Sequence, residues 1–263
     1  MTLISEILTK RNSQCSLIPF ITAGYPNLQV TVKALYALDE KGADIIELGI
    51  PYSDALADGP IIQESSRKAL EEGVCLNKIL YMLKKVSPNL NAPVVIFTYY
   101  NPVLARGMKK FIQDISFSGA RGLIIPDLPL EEVDYILKLC TQFNIELILF
   151  ISPTSSEIRM TSILSKSPGC IYLVSSYGVT GMRNKISNEI DKLAQRIKAK
   201  SNKAIILGFG ISSPQQVSTI AKWHVDGLVV GSAFMNTMLN KSDTEAIQSL
   251  SEVCEAFKEA IDS

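Results

Sequence analysis

Residues 45–60 have the sequence Ile45-Ile46-Glu47-Leu48-Gly49-Ile50-Pro51-Tyr52-Ser53-Asp54-Ala55-Leu56-Ala57-Asp58-Gly59-Pro60. The stretch begins as a buried strand, because its start is a nearly continuous apolar run. One carboxylate, Glu47, interrupts this run, and an ionised glutamate in an apolar wall costs several kcal/mol unless something compensates it. We therefore expect burial to raise the pKa of Glu47. The alternative is that Glu47 pairs with a buried arginine or caps a backbone amide.

A second carboxylate, Asp58, follows Glu47 beyond a turn region rich in proline, serine and aspartate. It stands between a small residue and a Gly-Pro break, which predicts a polar loop above the strand. A carboxylate in such a loop should stay ionised while Glu47 holds its proton. Two acids whose environments push their pKa values apart can divide acid and base roles between them.

Short apolar runs rich in β-forming residues alternate with helical patterns along the chain. The segment Ser213-Pro214-Gln215-Gln216 is typical of a helix start, with serine as N-cap and proline at the first helical position. The predicted strands are Leu17–Thr22, Asp44–Leu48, Val94–Thr98, Gly122–Ile125, Glu146–Ile151, Ile171–Val174, Ala204–Leu207 and Gly227–Val230.

Strand–helix units with mostly short connections predict a closed parallel (β/α)8 barrel, a TIM barrel, with extra short helices. We expect residues 1–263 to form it as a single domain. The alternative is a doubly wound open sheet, which would leave fewer strands and need a separate second domain. In a barrel, chemistry lies at the C-terminal ends of the strands, so Glu47 and Asp58 should face one mouth.

Composition argues against several functional classes. The chain has 26 basic and 26 acidic residues without a basic stripe, so nothing favours nucleic acid as a partner. No apolar run is long enough to span a membrane, and residues 1–12 lack the plan of a signal or transit peptide. The five scattered cysteines indicate reduced, mostly buried thiols of a soluble protein. With His224 as the one histidine, we predict neither a zinc site nor a Ser-His-Asp triad.

Glycine-bearing turns follow the last three predicted strands. They are Gly178-Val179-Thr180-Gly181, Gly208-Phe209-Gly210-Ile211-Ser212-Ser213 and Gly231-Ser232-Ala233. Any one of these glycines could serve only its turn, but glycines at successive strand ends let backbone N–H groups approach an anion. We therefore predict a phosphate site there, bound by backbone amides and the Ser232 hydroxyl, since Arg183 is the one cation nearby.

Apolar and aromatic residues stand at the strand ends between the carboxylates and these turns. They are Phe20, Phe97, Tyr99, Ile124, Ile151, Tyr172 and Phe209. Each could be plain barrel core, but together they favour a flat apolar ligand with a phosphate tail. We predict no cofactor, because the chain has no dinucleotide fingerprint, no P-loop and no lysine in an obvious Schiff-base position.

The chain resembles the tryptophan synthase α subunit family along its whole length. The motifs that carry the resemblance are Pro19-Phe20-Ile21-Thr22-Ala23-Gly24-Tyr25-Pro26, residues 47–60, Tyr99-Tyr100-Asn101-Pro102, Pro126-Asp127-Leu128-Pro129, Gly178-Val179-Thr180-Gly181 and Gly208-Phe209-Gly210-Ile211-Ser212. The resemblance implies a (β/α)8 lyase that cleaves indole-3-glycerol phosphate to indole and glyceraldehyde 3-phosphate. It also implies a β subunit as partner, in an α2β2 heterotetramer, which takes up the indole for tryptophan synthesis.

The same resemblance assigns roles residue by residue. Glu47 and Asp58 match the catalytic carboxylates, Tyr172 matches a tyrosine that flanks the reacting centre, and Thr180 matches a loop threonine that orients the acidic residue. The phosphate-binding positions are matched by Gly181, Gly210, Gly231 and Ser232, and the strand-end residues Phe20, Tyr99 and Phe209 complete the set expected to bind substrate. In these roles Asp58 accepts the ring N–H and stabilises positive charge on the indole, while Glu47 protonates C3. Asp54 and its neighbours are the expected contacts of the β subunit.

Two departures from the family pattern concern loops. Ser176 stands where many bacterial members have arginine, and Ala55 replaces a common proline. Neither touches the carboxylates, so we expect changes in loop dynamics and partner response rather than in the reaction. The alternatives are a free-standing lyase of the same family and a mainly regulatory barrel. The choice of residues in this chain is similar to that in cyanobacterial and plastid members of the family. This similarity implies that the protein is located in the plastid stroma or otherwise in a bacterial cytoplasm.

Overall fold

Eight parallel strands close into a barrel in the computed structural model of the chain, in the order β1 to β8. The structure describes residues 3–10, 13–174, 188–208 and 210–263. The strands are β1 (Ser16–Thr22), β2 (Ile46–Gly49), β3 (Val94–Phe97), β4 (Gly122–Ile124), β5 (Glu146–Ile151), β6 (Cys170–Val174), β7 (Ala204–Gly208) and β8 (Gly227–Val230). The helices are α1 (Ile4–Lys10), α2 (Leu28–Glu40), α3 (Pro60–Glu71), α4 (Leu76–Val86), α5 (Tyr100–Arg106), α6 (Met108–Phe117), α7 (Val133–Gln142), α8 (Glu157–Lys166), α9 (Asn188–Lys200), α10 (Pro214–Ile220), α11 (Ser232–Met238) and α12 (Asp243–Asp262).

The barrel prediction is confirmed, and the open-sheet alternative is wrong, because β8 pairs with β1 and leaves no sheet edge. Each predicted strand is present, with ends that differ by at most two residues. Extra helices are also present: β2 is followed by α3 and α4, β3 by α5 and α6, and β8 by α11 and α12, and among these α5 and α11 are short, with seven residues each.

Local chemistry explains where several helices begin. The side chain of Asn27 accepts the backbone N–H of Val30 at the start of α2. Ser213 accepts the N–H of Gln216 at the start of α10, with a proline in the first turn, as the sequence predicts. Side-chain caps of this kind contribute about 1 kcal/mol each to helix stability. They set where each helix leaves the barrel rim.

Strand register places the unusual polar residue of β2 inside the barrel. Glu47 is paired in register with Phe20 of β1 and with Val95 of β3. Tyr172 of β6 is paired with Phe150 of β5. Because side chains alternate between the two faces of a strand, paired residues point to the same side. The interior wall therefore combines one carboxyl group with aromatic and aliphatic neighbours.

The burial of the cysteines agrees with the expectation of mostly buried thiols. Cys15, Cys140, Cys170 and Cys254 are buried and Cys75 is exposed, and none of them is in a disulfide within the described residues. Burial raises the pKa of the Cys140 thiol to about 12, so this group stays protonated and unreactive. Among the helices that the structure describes, none is both long and apolar enough to cross a lipid bilayer.

Candidate active site

A cavity of about 280 Å³ lies at the C-terminal ends of the strands, where the sequence predicts the site. The described residues that line it are Phe20, Glu47, Asp58, Pro60, Ile61, Ile62, Phe97, Tyr172, Gly210, Ile211, Ser212, Val229, Gly231 and Ser232. Another cavity of about 380 Å³ includes Arg159 but no carboxylate in its described lining. The smaller cavity is the candidate site, because it brings both predicted carboxyl groups together with the glycine turns.

Glu47 is held in this cavity by the backbone of β2 and is only 2% exposed. Its Oε2 atom has no hydrogen-bond partner among the described residues. Burial, together with the nearby charge of Asp58, raises the pKa of Glu47 to about 8. The predicted rise is confirmed, and no ion pair with an arginine forms in the described part of the chain. Glu47 therefore carries a proton at neutral pH.

Asp58 lies on the loop after β2 as expected, and its own side chain is buried although Ser53, Asp54 and Leu56 of the same loop are exposed. Its side chain is only 5% exposed. The loop closes on itself: the Gln63 side-chain amide donates to the carbonyl oxygens of Ala55 at 3.1 Å and Asp58 at 2.9 Å. Burial raises the pKa of Asp58 to about 6, and a hydrogen bond from Tyr99 opposes that rise. Asp58 is still mostly ionised at neutral pH, so the two pKa values do separate.

Tyr99 lies beside the loop of Asp58, and it is not among the described residues that line the cavity. Its hydroxyl accepts the backbone N–H of Ala57 at 3.0 Å, and its hydrogen-bonding influence lowers the pKa of the Asp58 carboxyl group. Tyr99 lies two residues beyond the end of β3, and its ring contacts that of Phe97 edge-on, with ring centroids 6.1 Å apart. Its expected contact with substrate stays a prediction.

Two glycines leave space for the large aromatic residues of the cavity. A Cβ atom on Gly49 would lie 2.5 Å from the ring of Phe20, and one on Gly208 would overlap the hydroxyl end of Tyr172. Tyr172 also packs against Phe150, with ring centroids 4.7 Å apart. Burial, with the charges of Glu47 and Asp58, raises the pKa of Tyr172 well above its ordinary value. The Tyr172 hydroxyl therefore stays protonated.

The glycine turns after β7 and β8 form another part of the same cavity. Gly210 has a φ of +81°, a backbone conformation that favours glycine. The Gln216 side-chain oxygen accepts both the backbone N–H and the hydroxyl of Ser212, at 2.9 and 3.1 Å, which holds this turn in place. Gly231 is the N-cap of α11, and Ser232 is its first residue. No lysine or arginine occurs in the described lining, so backbone dipoles and hydroxyls are the available anion donors.

Several predicted positions lie outside the described residues: Ser176, Thr180, Gly181, Arg183 and Phe209. Besides the residues expected to act on or bind substrate, the structure also places in the cavity lining Pro60, Ile61, Ile62, Phe97, Ile211, Ser212 and Val229. A signal for the first three was available. An apolar pair follows the Gly-Pro break directly after Asp58, at the start of a helix above the barrel mouth.

Comparison with known proteins gives a consistent family. The family model described as "Tryptophan synthase alpha chain" matches residues 7–262. A tryptophan synthase alpha chain of Gracilaria tenuistipitata var. liui is 58% identical over 261 residues, covering 99% of this chain and 97% of that relative. One from Trichormus variabilis is 47% identical over 263 residues, covering 99% of both chains.

Solved structures with the same fold carry related names. A chain from a Mycobacterium tuberculosis tryptophan synthase structure superposes with a TM-score of 0.89 at 30% identity, covering 100% of both chains. A chain from the tryptophan synthase α2β2 complex of Pyrococcus furiosus has a TM-score of 0.86 at 35% identity, covering 94% of this chain and 98% of that one.

Proposed function

The chain belongs to the tryptophan synthase alpha chain family, a family of lyases that cleave indole-3-glycerol phosphate, and from that premise we propose that Glu47 and Asp58 perform the acid–base steps. The observation that supports this assignment is the separation of their pKa values, about 8 and about 6, in one cavity. At neutral pH one group is an acid with a proton to give, and the other is an anion. The cleavage reaction needs both.

Asp58 accepts the N–H of the indole ring. When C3 of the ring is protonated, the ring nitrogen becomes positively charged, and a carboxylate next to it stabilises that charge. The interaction is strong because Asp58 is buried, where water screens it little. The role requires the ionised form of Asp58, so activity should fall as the pH decreases through about 6.

Glu47 donates its proton to C3 of the indole ring and takes a proton from the hydroxyl on the adjacent glycerol carbon. The C–C bond then breaks, its electron pair returns to the ring, and the deprotonated hydroxyl becomes the aldehyde of glyceraldehyde 3-phosphate. Protons and electrons balance without a cofactor or a metal ion. Because Glu47 must begin protonated, activity should also fall as the pH rises through about 8.

The glycine turns bind the phosphate at the other end of the substrate. Gly210, Gly231 and Ser232 present backbone and a hydroxyl to the cavity, and neutral donors of this kind suit a phosphate group. Phe20 and Tyr172 border the same cavity and pack against the flat indole ring. These contacts hold the reacting carbon between the two carboxyl groups.

The partner is a β subunit that takes up the indole, in an α2β2 heterotetramer. Support comes from the Pyrococcus furiosus structure, whose description concerns mutual activation of the tryptophan synthase α2β2 complex. In this chain Asp54 and its neighbours are the proposed contacts. Asp54 is exposed and borders a surface cavity of about 730 Å³ that also includes Tyr52 and Arg67.

The decisive experiment measures indole release from indole-3-glycerol phosphate by the purified chain, alone and with a β subunit, between pH 5 and 9. We expect slow release alone, strong stimulation by the partner, and a bell-shaped kcat/KM profile with limbs near pH 6 and 8. Fast release without stimulation would indicate a free-standing lyase. No release under either condition would reject the proposed roles of Glu47 and Asp58.

We further place the protein in a plastid. The support is that red algal chains from Gracilaria and Antithamnion are 58% and 54% identical to this one, against 47% for the cyanobacterial Trichormus chain. Locating the gene on a plastid genome would support the placement, and a bacterial chromosome would contradict it.

A further inference from the structure

Tyr99 connects the loop of Asp58 to the segment after the next strand. Its hydroxyl accepts the N–H of Ala57, the residue directly before Asp58, and its hydrogen-bonding influence lowers the pKa of Asp58. The ring is 3% exposed and packs between Phe97 and Tyr52, with centroid distances of 6.1 and 5.3 Å. These contacts restrict the ring, so the position of its hydroxyl follows the position of the start of α5.

The start of α5 is in turn held by the segment after β4. Tyr99 is the N-cap of α5, and the next residue, Tyr100, donates its backbone N–H to Oδ1 of Asp127 at 2.8 Å. The Tyr100 hydroxyl donates to Glu132, which lies in the same segment. Asp127 belongs to the Pro-Asp-Leu-Pro motif, which has no other role in the described site, and it does not line the cavity among the described residues.

We propose that Asp127 is a positioning residue for the reaction: it holds the N-terminus of α5, so that the Tyr99 hydroxyl keeps the Ala57 N–H, and with it the adjacent Asp58 carboxylate, in place. The inference rests on the proposed function of Asp58 and adds two residues to it. Asp127 acts through Tyr99, and neither residue exchanges a proton with the substrate.

The connection from Asp127 through Tyr99 to the Asp58 loop, called the relay below, is sensitive to small changes in position. The Tyr99 hydroxyl is 3.0 Å from the Ala57 nitrogen, the ordinary distance of an N–H···O hydrogen bond, and the bond is lost if the donor–acceptor distance reaches about 3.6 Å or the angle becomes strongly bent. The titratable groups that face Asp58 are Glu47 from β2, Tyr172 from β6 and Tyr99 before α5. Tyr99 is the one whose hydrogen bond lowers the pKa of Asp58. Loss of that bond should therefore move the acidic limb of the kcat/KM profile to higher pH.

The test compares substitutions at both ends of the relay, assayed with the β subunit between pH 5 and 9. Tyr99→Phe and Asp127→Ala should each lower kcat/KM about tenfold, the usual scale for losing a hydrogen bond to a charged group. Both should also raise the pH of the acidic limb. Asp127→Asn keeps an oxygen that accepts the Tyr100 N–H, so kcat/KM should stay within about threefold with the limb unmoved. The matched control is Asp134→Ala, because Asp134 is an exposed carboxylate on α7 that pairs with Lys166.

Coupling between the two ends distinguishes a relay from two separate defects. The double substitution Tyr99→Phe/Asp127→Ala should lose no more activity than the worse single one, because each breaks the same connection. The phosphate of the substrate also titrates near pH 6, but a limb that moves with the variant belongs to the protein.

An additive double variant, or an unmoved limb in folded Asp127→Ala, would overturn the proposal. If Asp127→Ala does not fold, an unmoved limb in Tyr99→Phe overturns it by itself. Failure of the unsubstituted chain to release indole is a different result, since it rejects the proposed function and not the relay.

Discussion

The two sides of the cavity handle charge in opposite ways. On the β2 side, Glu47 and Asp58 are buried, and burial raises both pKa values. On the β7 and β8 side, Gly210, Gly231 and Ser232 present neutral groups, and the described lining contains no lysine or arginine. A cation placed there to bind phosphate would lower the pKa of Glu47, because a nearby positive charge favours the ionised carboxylate. If the proposed phosphate is bound through these neutral dipoles, the acid of the other side keeps its proton.

The strongest test of this comparison removes the acid. Glu47→Gln should lower the rate of indole release on the order of 10²–10⁴-fold, the usual contribution of one acid–base group, with substrate affinity preserved. Steady-state kinetics with the β subunit measure both quantities. Glu146→Gln is the matched control, because Glu146 is an equally buried strand glutamate that accepts the Ser5 N–H and hydroxyl at 3.0 Å, outside the described cavity lining. A loss below tenfold at Glu47 would remove it from the mechanism.

The second test measures the free energy of unfolding, without substrate. Above pH 4.5 the unfolded chain releases the proton of Glu47 while the folded chain keeps it until about pH 8, so this group destabilises the fold increasingly across that range. Glu47→Gln removes the effect. The stability difference between variant and parent should therefore shift in favour of the variant by up to about 5 kcal/mol between pH 4.5 and pH 8. Urea denaturation at the two pH values measures it, and an equal difference at both would show that the pKa is not raised.

The third test concerns the β7 and β8 side of the cavity, where phosphate binding is proposed. Gly210→Val should raise the KM for indole-3-glycerol phosphate about tenfold or more while kcat changes much less, because the side chain would fill space next to the proposed phosphate. Valine is also strained at a φ of +81°. Gly107→Val controls for that strain, since Gly107 has a φ of +86° and an added Cβ would meet no atom within 4 Å. An unchanged KM in folded Gly210→Val would place the phosphate elsewhere.

Prediction from sequence was accurate where a pattern is local. Strand positions follow from apolar runs, and the unusual environment of Glu47 is visible because a charged residue interrupts such a run. The start of α10 was equally readable, because Ser213 and Pro214 act on the backbone within one helical turn. The turn glycines were found for the same reason.

Asp58 shows where local reasoning fails. Its neighbours in sequence are typical of an exposed loop, yet the folded loop is closed by Gln63 and Tyr99, which lie on two other elements. Neither contact leaves a periodic pattern in the chain. Tyr99 was expected to contact substrate from its place at a strand end, which stays a prediction, and the structure adds that its hydroxyl accepts the N–H of Ala57. A strand-end position indicates which mouth a residue faces, but not which neighbour it contacts.

The sequence by itself determined the order of strands and helices, the closed barrel, the two carboxyl groups and the glycine turns. Each of these depends on periodicity or on backbone conformation within a few residues. Tertiary structure alone decided how deeply Asp58 is buried, which apolar residues of α3 line the cavity, and how Asp127 and Tyr99 connect two loops to the site. The physical reason is that desolvation and hydrogen-bond geometry depend on atoms brought together by the closure of the barrel, from segments far apart in the chain.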